Sequence, residues 1–126
     1  MATVDVPYLL RVVLHQIFNE RDASIRRAAI AKHMAVTCIF IDPHAAHQGH
    51  AAIDDACVAV LKDTEGFVFI ERGAPEVLHH LGNTYVGKLK WGFGPMGEPS
   101  KVLGEDVVTI EDGKIARLYT FLENTP

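Results

Sequence analysis

Two aspartates and a run of histidines are the residues here whose types and settings could do chemistry. Asp42 continues the face of Cys38 and Phe40 at the end of an apolar run and is followed by Pro43. Asp106 shares a face of another apolar run with Val108 and Ile110. A carboxylate inside such a run is costly unless it is paired or functional. Asp42 has a plainer reading beside the chemical one, because Asp before proline often opens a turn by bonding to its own backbone. If the two carboxyl groups met in one cavity ~5 Å apart at an effective dielectric near ~20, their repulsion would be about 3 kcal/mol, or roughly two pKa units. Desolvation acts in the same direction. One carboxyl could then keep its proton near neutrality and donate while the other stays a base, which is the division of labour that proton transfer needs.

The spacing His44-x-x-His47-x-x-His50 raises a metal reading, since three imidazoles can hold a catalytic zinc and support a hydrolase. Spacing of three in a Gly-flanked loop fixes no common geometry, however, and no matching Cys or Glu follows. The series therefore reads as a polar rim with His47 near a pocket mouth, and neither metal nor cofactor is expected. His79 and His80 alternate faces in a strand, so at most one points inward.

The elements that must position these groups can be traced along the chain. Leu10, Val13, Leu14, Ile17 and Phe18 form one helical stripe, with Asp5 as N-cap. A second helix can start from Asp22 or Ser24 and run to about Met34. Val36 to Ile41 reads as a strand that Asp42-Pro43 ends, followed by a polar loop from His44 to Gly49. Ile53, Cys57, Val60 and Leu61 restore helical spacing over residues 50 to 62. Five strand candidates then follow: 67–71, 77–81, 84–93, 102–110 and 115–122. Asp112-Gly113 marks a tight hairpin between the last two, because a type I′ turn needs positive φ at both central residues. The stretch from Gly92 to Pro99 reads as a longer connection.

Helices first and strands afterwards predict an α+β domain over residues 1–126: a curved antiparallel or mixed sheet, cone-shaped, with the three helices on its concave face. Leu103 and Val107 face away from the core-directed set yet are apolar, which predicts a homodimer joined through the outer sheet face. Leu14, Phe18, Val108 and Leu118 are expected to line an apolar interior. Core packing explains most of the aromatics, and Trp91 is the one placed in the pocket wall.

The bulk properties set limits on partners. The 126 residues are 48% hydrophobic and 22% charged, an ordinary globular balance that can fold without disulfides. Cys38 and Cys57 read as small buried hydrophobes. The first residues lack the basic start and apolar stretch of a secretory signal, and no run approaches the ~18 apolar residues that span a bilayer. A reducing, cytoplasmic setting is expected. A net charge of -4 with no basic block beyond Arg26-Arg27 argues against nucleic acid or an anionic membrane as partner.

Several local features in this order resemble the SnoaL-like and ketosteroid isomerase branch of the nuclear transport factor 2-like superfamily. They are the Asn19-to-Asp22 turn, Phe40-Ile41-Asp42-Pro43, Gly49 with Ala52-Ile53, and Trp91-Gly92-Phe93-Gly94-Pro95. Gly104-x-Asp106 and Glu111-Asp112-Gly113-Lys114-Ile115 leading into Leu118-Tyr119-Thr120-Phe121 complete the set. The resemblance implies that Asp42 is a general base and Asp106 a protonated donor to a developing oxyanion. It also implies a departure: the tyrosine that shares the oxyanion hole aligns with Leu14, and the adjacent His15 points about 100° away. The leading expectation is a cofactor-independent isomerase, cyclase or dehydratase acting on a small apolar molecule. The competing one is a ligand-binding or dimeric interaction module of the same fold.

Overall fold

Asp5 opens the first helix by accepting a hydrogen bond from the Tyr8 N–H at 3.0 Å, with Pro7 in the first turn where a missing donor does no harm. A computed structural model describes residues 4–79 and 81–123, so the expectation for His80 lies outside the described residues. Helix α1 (Val6–Arg11) passes directly into a π-helical segment (Val12–Phe18). There the Asn19 N–H reaches the Leu14 carbonyl across five residues. The buried face is therefore wider than a 3.6-residue stripe, adding Leu9 and Val12 to the expected set.

Helix α2 (Ala23–His33) starts from Asp22, whose carboxylate accepts from the Ile25 N–H at 3.1 Å, which decides between the two expected openings. Strand β1 (Met34–Ile41) begins immediately after α2, two residues before the expected start. The expected polar loop contains a short strand, β2 (Ala46–Gln48), folded back antiparallel on β1 by the turn at Asp42-Pro43. Helix α3 (His50–Leu61) follows.

The sheet is completed by β3 (Phe67–Glu71), β4 (Glu76–His79), β5 (Thr84–Pro95), β6 (Val102–Glu111) and β7 (Lys114–Leu122). Its order is β2-β1-β7-β6-β5-β3, with β4 beside β5. Every pairing is antiparallel except β1 with β7, so the sheet is mixed, curved and open. Gly92 to Pro95 belong to β5 and not to a connection as expected, because β3 pairs along the whole of that stretch and β6 with Gly92 and Phe93. Its glycines make room for the returning chain: a Cβ on Gly92 would lie 2.2 Å from Ser100 Oγ. Asp112 and Gly113 take φ of 52° and 78°, the positive values the expected hairpin turn requires.

The helices cover one face of the sheet. Leu10, Leu14 and Ile17 from the first helix pack with Val108, Ile110 and Leu118 from β6 and β7, all essentially solvent-free. Each such side chain contributes on the order of 1.5–3 kcal/mol on burial. Among the described residues no helix is long and apolar enough to cross a membrane.

Candidate functional site: an apolar cavity with a buried carboxyl

Alternation along β6 turns Gly104, Asp106, Val108 and Ile110 inward and leaves Leu103, Glu105, Val107 and Thr109 on the outer face. Asp106 is 6% exposed and opens onto a cavity of about 260 Å³. Leu14 and Phe18 close this cavity on the helix side, Phe40 on the β1 side, and Phe69, Trp91 and Phe93 form its sheet wall. Asp42, Pro43 and His44 enter from the turn after β1, while Val102 and Leu122 stand where it meets solvent.

The Asp106 carboxyl is held on one side only. Its Oδ1 accepts from Trp91 Nε1 at 3.0 Å and from Thr120 Oγ1 at 2.7 Å. Thr120 stands directly opposite on β7, and Trp91 pairs with Gly104, two residues along the same face of β6. Glycine is required at 104, because a Cβ there would lie 2.3 Å from the indole Cζ2. Among the described residues no hydrogen bond reaches Asp106 Oδ2. Burial pushes the carboxyl up to about 6 against the two hydrogen bonds, which favour ionisation, with the neighbouring Glu105 charge adding to the rise.

Asp42 is arranged differently. Its Oδ1 accepts from the N–H groups of His44 at 2.7 Å and Ala45 at 2.9 Å, and its Oδ2 lies 3.1 Å from His47 Nε2. This is the turn geometry that a plain reading of Asp-Pro anticipates. Burial pushes this carboxyl up, but the two backbone bonds and the contact with His47 outweigh it and hold it below the ordinary carboxylate range. Both aspartates line one cavity, yet neither is a cause of the other's shift. Glu105 is the charge acting on Asp106 and His47 the one acting on Asp42.

The remaining expected site residues divide. Leu14, Phe18 and Trp91 line the cavity. Val108 and Leu118 do not: they are fully buried in the core cluster outside the cavity. His47 is also absent from the lining, because it stacks on Phe40 from the edge strand β2, ring centroids 5.2 Å apart, and is tied to Asp42. His44 takes the place at the cavity instead, and His50 donates through Nε2 to the carbonyls of Met34 and Ala35 at 3.0 Å. The three histidines thus serve three separate purposes. No group of three or more His, Cys, Asp or Glu is placed to hold a metal among the described residues. His79 is exposed and tilts against Tyr85.

Two positioning residues were not foreseen. Arg72 follows β3 and donates through Nε to the Trp91 carbonyl at 2.8 Å and through Nη2 to the Gly104 carbonyl at 3.2 Å, while pairing with Glu123. It fixes the backbone on which the indole rides. Asn19 works from the end of the first helix, giving and taking hydrogen bonds with the backbone of Phe69 at 2.8 and 2.6 Å, and so docks the aromatic wall. A polar residue breaking the apolar run after Phe18 was the available signal for Asn19.

No family model matches this sequence, and no curated protein matches it. Solved structures do. A candidate isomerase of the SnoaL-like family from Agrobacterium tumefaciens superposes with a TM-score of 0.80 at 24% identity, over 93% of this chain and 96% of that one. A candidate polyketide cyclase from Sinorhizobium meliloti gives 0.62 at 24% identity, over 95% and 99%. A nuclear transport factor 2-like protein from Salmonella enterica serovar Typhimurium gives 0.73 at 15% identity, over 95% and 89%. The chain has the α+β fold of the SnoaL-like and nuclear transport factor 2-like proteins.

Proposed function

We propose that this chain is a cofactor-independent enzyme that moves protons on a small apolar substrate, in the manner of an isomerase, cyclase or dehydratase. The observation that carries the reading is the Asp106 carboxyl: Oδ1 is fixed by Trp91 and Thr120, Oδ2 is left to the cavity, and its pKa is pushed up to about 6. A bound apolar ligand removes more water and favours the protonated form further, so Oδ2–H donates to a substrate oxygen as negative charge develops there. Asp42 stays ionised and acts as the base. A carboxylate has about four acceptor sites, of which the turn and His47 use three. Because its pKa is held low it is a weak base, and it depends on Asp106 to acidify the substrate.

The names of the structural neighbours support this chemistry by analogy of fold. The test is turnover of enones, epoxides and hydroxy-ketones by wild type, Asp106→Asn, Asp106→Ala and Asp42→Asn. Asparagine keeps a donor at 106 and should be milder than alanine, whereas Asp42→Asn should lose on the order of a hundredfold or more. A second reading, a binding or interaction module, is favoured by Leu14, which offers no second oxyanion donor. Ligand binding with no turnover in any variant would select it.

We also propose a homodimer through the outer sheet face. Leu103 and Val107 are half-buried there, Phe121 is 59% exposed opposite Glu105, and Glu105 Oε2 is buried with the Lys88 ammonium at 3.9 Å but no hydrogen-bond partner among the described residues. A second copy would cover the apolar residues and bring donors to that oxygen. Light scattering should give twice the 13.9 kDa chain mass, and Val107→Glu should give the single mass. The free, buried thiols of Cys38 and Cys57 fit a reducing, cytoplasmic location.

A further inference from the structure

We propose that the cavity binds protonated primary or secondary amines carried on an apolar body, the ammonium group docking on Asp106 Oδ2. This goes beyond the reading above: it concerns what the cavity holds once Asp106 has given up its proton, and binding decides it rather than turnover.

The lining carries charge of one sign. Asp42 is held ionised by its turn, and Asp106, at about 6, is for the most part ionised above neutrality. Among the described residues no Lys or Arg lines the cavity, and His44 is its one basic member. The helix side contributes Leu14 and Phe18, which bring no charge. Groups behind the wall do not reverse the sign. Glu105 adds to the negative field at Asp106, with Lys88 3.9 Å from its Oε2. Arg72 is engaged by the carbonyls of Trp91 and Gly104 and by Glu123.

Asp106 also lacks what an ammonium supplies. The fold has already stripped the carboxyl of water, Oδ1 is filled by Trp91 and Thr120, and Oδ2 has no donor among the described residues. An ionised acceptor in that state is destabilising, and a charged N–H donor entering the cavity relieves it. The loss of the cation's own hydration is offset from two other directions. Phe40, Phe69, Trp91 and Phe93 surround the space with rings whose faces attract a cation. The opening beside Val102 and Leu122 lets water reach the ligand. An uncharged ligand gains the ring contacts but brings Oδ2 no charged donor.

Binding is thereby linked to one proton. An alkylamine, like lysine, keeps its ammonium protons up to about pH 10, so the proton that leaves on binding comes from Asp106. The amine prefers the ionised carboxyl, and its affinity should rise with pH through about 6 and level off above.

Calorimetric titration with naphthylmethylamine and naphthalenemethanol, a charged and an uncharged ligand of one shape, tests the proposal. At pH 8 the amine should bind roughly tenfold or more tighter than the alcohol, and by pH 5 its advantage should fall about tenfold. At pH 6, titrations in two buffers of different ionisation enthalpy should show about half a proton released by the amine and none by the alcohol. Asp106→Asn should abolish the pH step and most of the preference while keeping alcohol binding within roughly threefold. His44→Gln should keep the pH step, which identifies Asp106 and not the imidazole as its source. Equal affinities at pH 8, no binding of the amine, or a pH step that survives Asp106→Asn would overturn the proposal. Those results would leave the turnover test standing, just as absence of turnover would sink the enzyme reading and leave amine binding in place.

Discussion

The Trp91 indole N–H lies 3.0 Å from Asp106 Oδ1, reaching it across Gly104 from the neighbouring strand. This ties the one tryptophan of the sequence to the one carboxyl whose pKa is pushed up within the cavity. Fluorescence of Trp91 should therefore follow the ionisation of Asp106, with a midpoint near about 6. Thr120→Val removes a bond to the ionised form, worth about 1.5–3 kcal/mol for a charged acceptor, so the midpoint should move up by roughly one unit or more. A midpoint near that of an ordinary aspartate in the wild type would refute the coupling.

The same group makes stability depend on pH. Asp106 rises from an ordinary 3.8 to about 6 on folding, so the native state binds its proton more tightly than the unfolded chain. Its contribution is fully present below 3.8 and is lost as pH rises through about 6, a difference of about 3 kcal/mol. Asp106→Asn never ionises and keeps an oxygen for Trp91 and Thr120. Above pH 6 it should be more stable than wild type by up to about 3 kcal/mol in urea melts, with the gap closing toward pH 4. A less stable asparagine variant at neutral pH would contradict the desolvation argument.

The sequence made some of this legible and hid the rest for identifiable reasons. The helix order, the turn at Asp112-Gly113 and the inward face of β6 follow from local periodicity, which the backbone obeys almost everywhere. Thr120 was hidden by a register shift. A strict two-residue hairpin pairs Glu111 with Lys114 and would set Tyr119 opposite Asp106, but the irregularity at Thr109/Ile110 advances β7 by one residue and brings Thr120 there instead. His47 was misplaced because β2 folds back on β1 as the edge strand and sets the ring opposite Phe40 on the same face, so that Phe40 stands between it and the cavity. Arg72 and Asp54 could not be found by pattern, since their partners are distant in sequence.

Asp54 illustrates that last point and gives a third prediction. It is buried in α3 with Oδ1 2.6 Å from Arg26 Nε and Oδ2 2.9 Å from Arg27 Nε, while Arg26 also donates to the Glu20 carbonyl. Burial pushes its carboxyl up, but the two guanidinium groups prevail and hold it below the ordinary range. Its contribution is therefore present above the unfolded value and lost as pH falls through the lower, folded one. Asp54→Ala strands a buried cation and should destabilise by about 3–5 kcal/mol, whereas replacing Arg26 and Asp54 together by apolar residues should recover most of it. Chemical denaturation of the two variants measures the difference.

The last prediction concerns Arg72, which among the described residues makes no hydrogen bond to a cavity residue's side chain yet grips the carbonyls of Trp91 and Gly104. Those two residues face each other across the ladder, and their spacing sets how the indole lies over the glycine toward Asp106. Arg72→Ala leaves both carbonyls short of a charge-assisted donor and lets the strand pair relax. A loosened indole gives Asp106 a poorer hydrogen bond in its ionised form, so the carboxyl should titrate higher than in the wild type, by an amount below that of Thr120→Val. Arg72→Lys should restore part of the shift, because an ammonium supplies a charge but cannot fork to two carbonyls at fixed geometry. The Trp91 fluorescence titration reads this directly and separates positioning from a general loss of stability. If Arg72→Ala lowered the melting temperature but left the midpoint of that titration unchanged, Arg72 would be a strand clamp and nothing more.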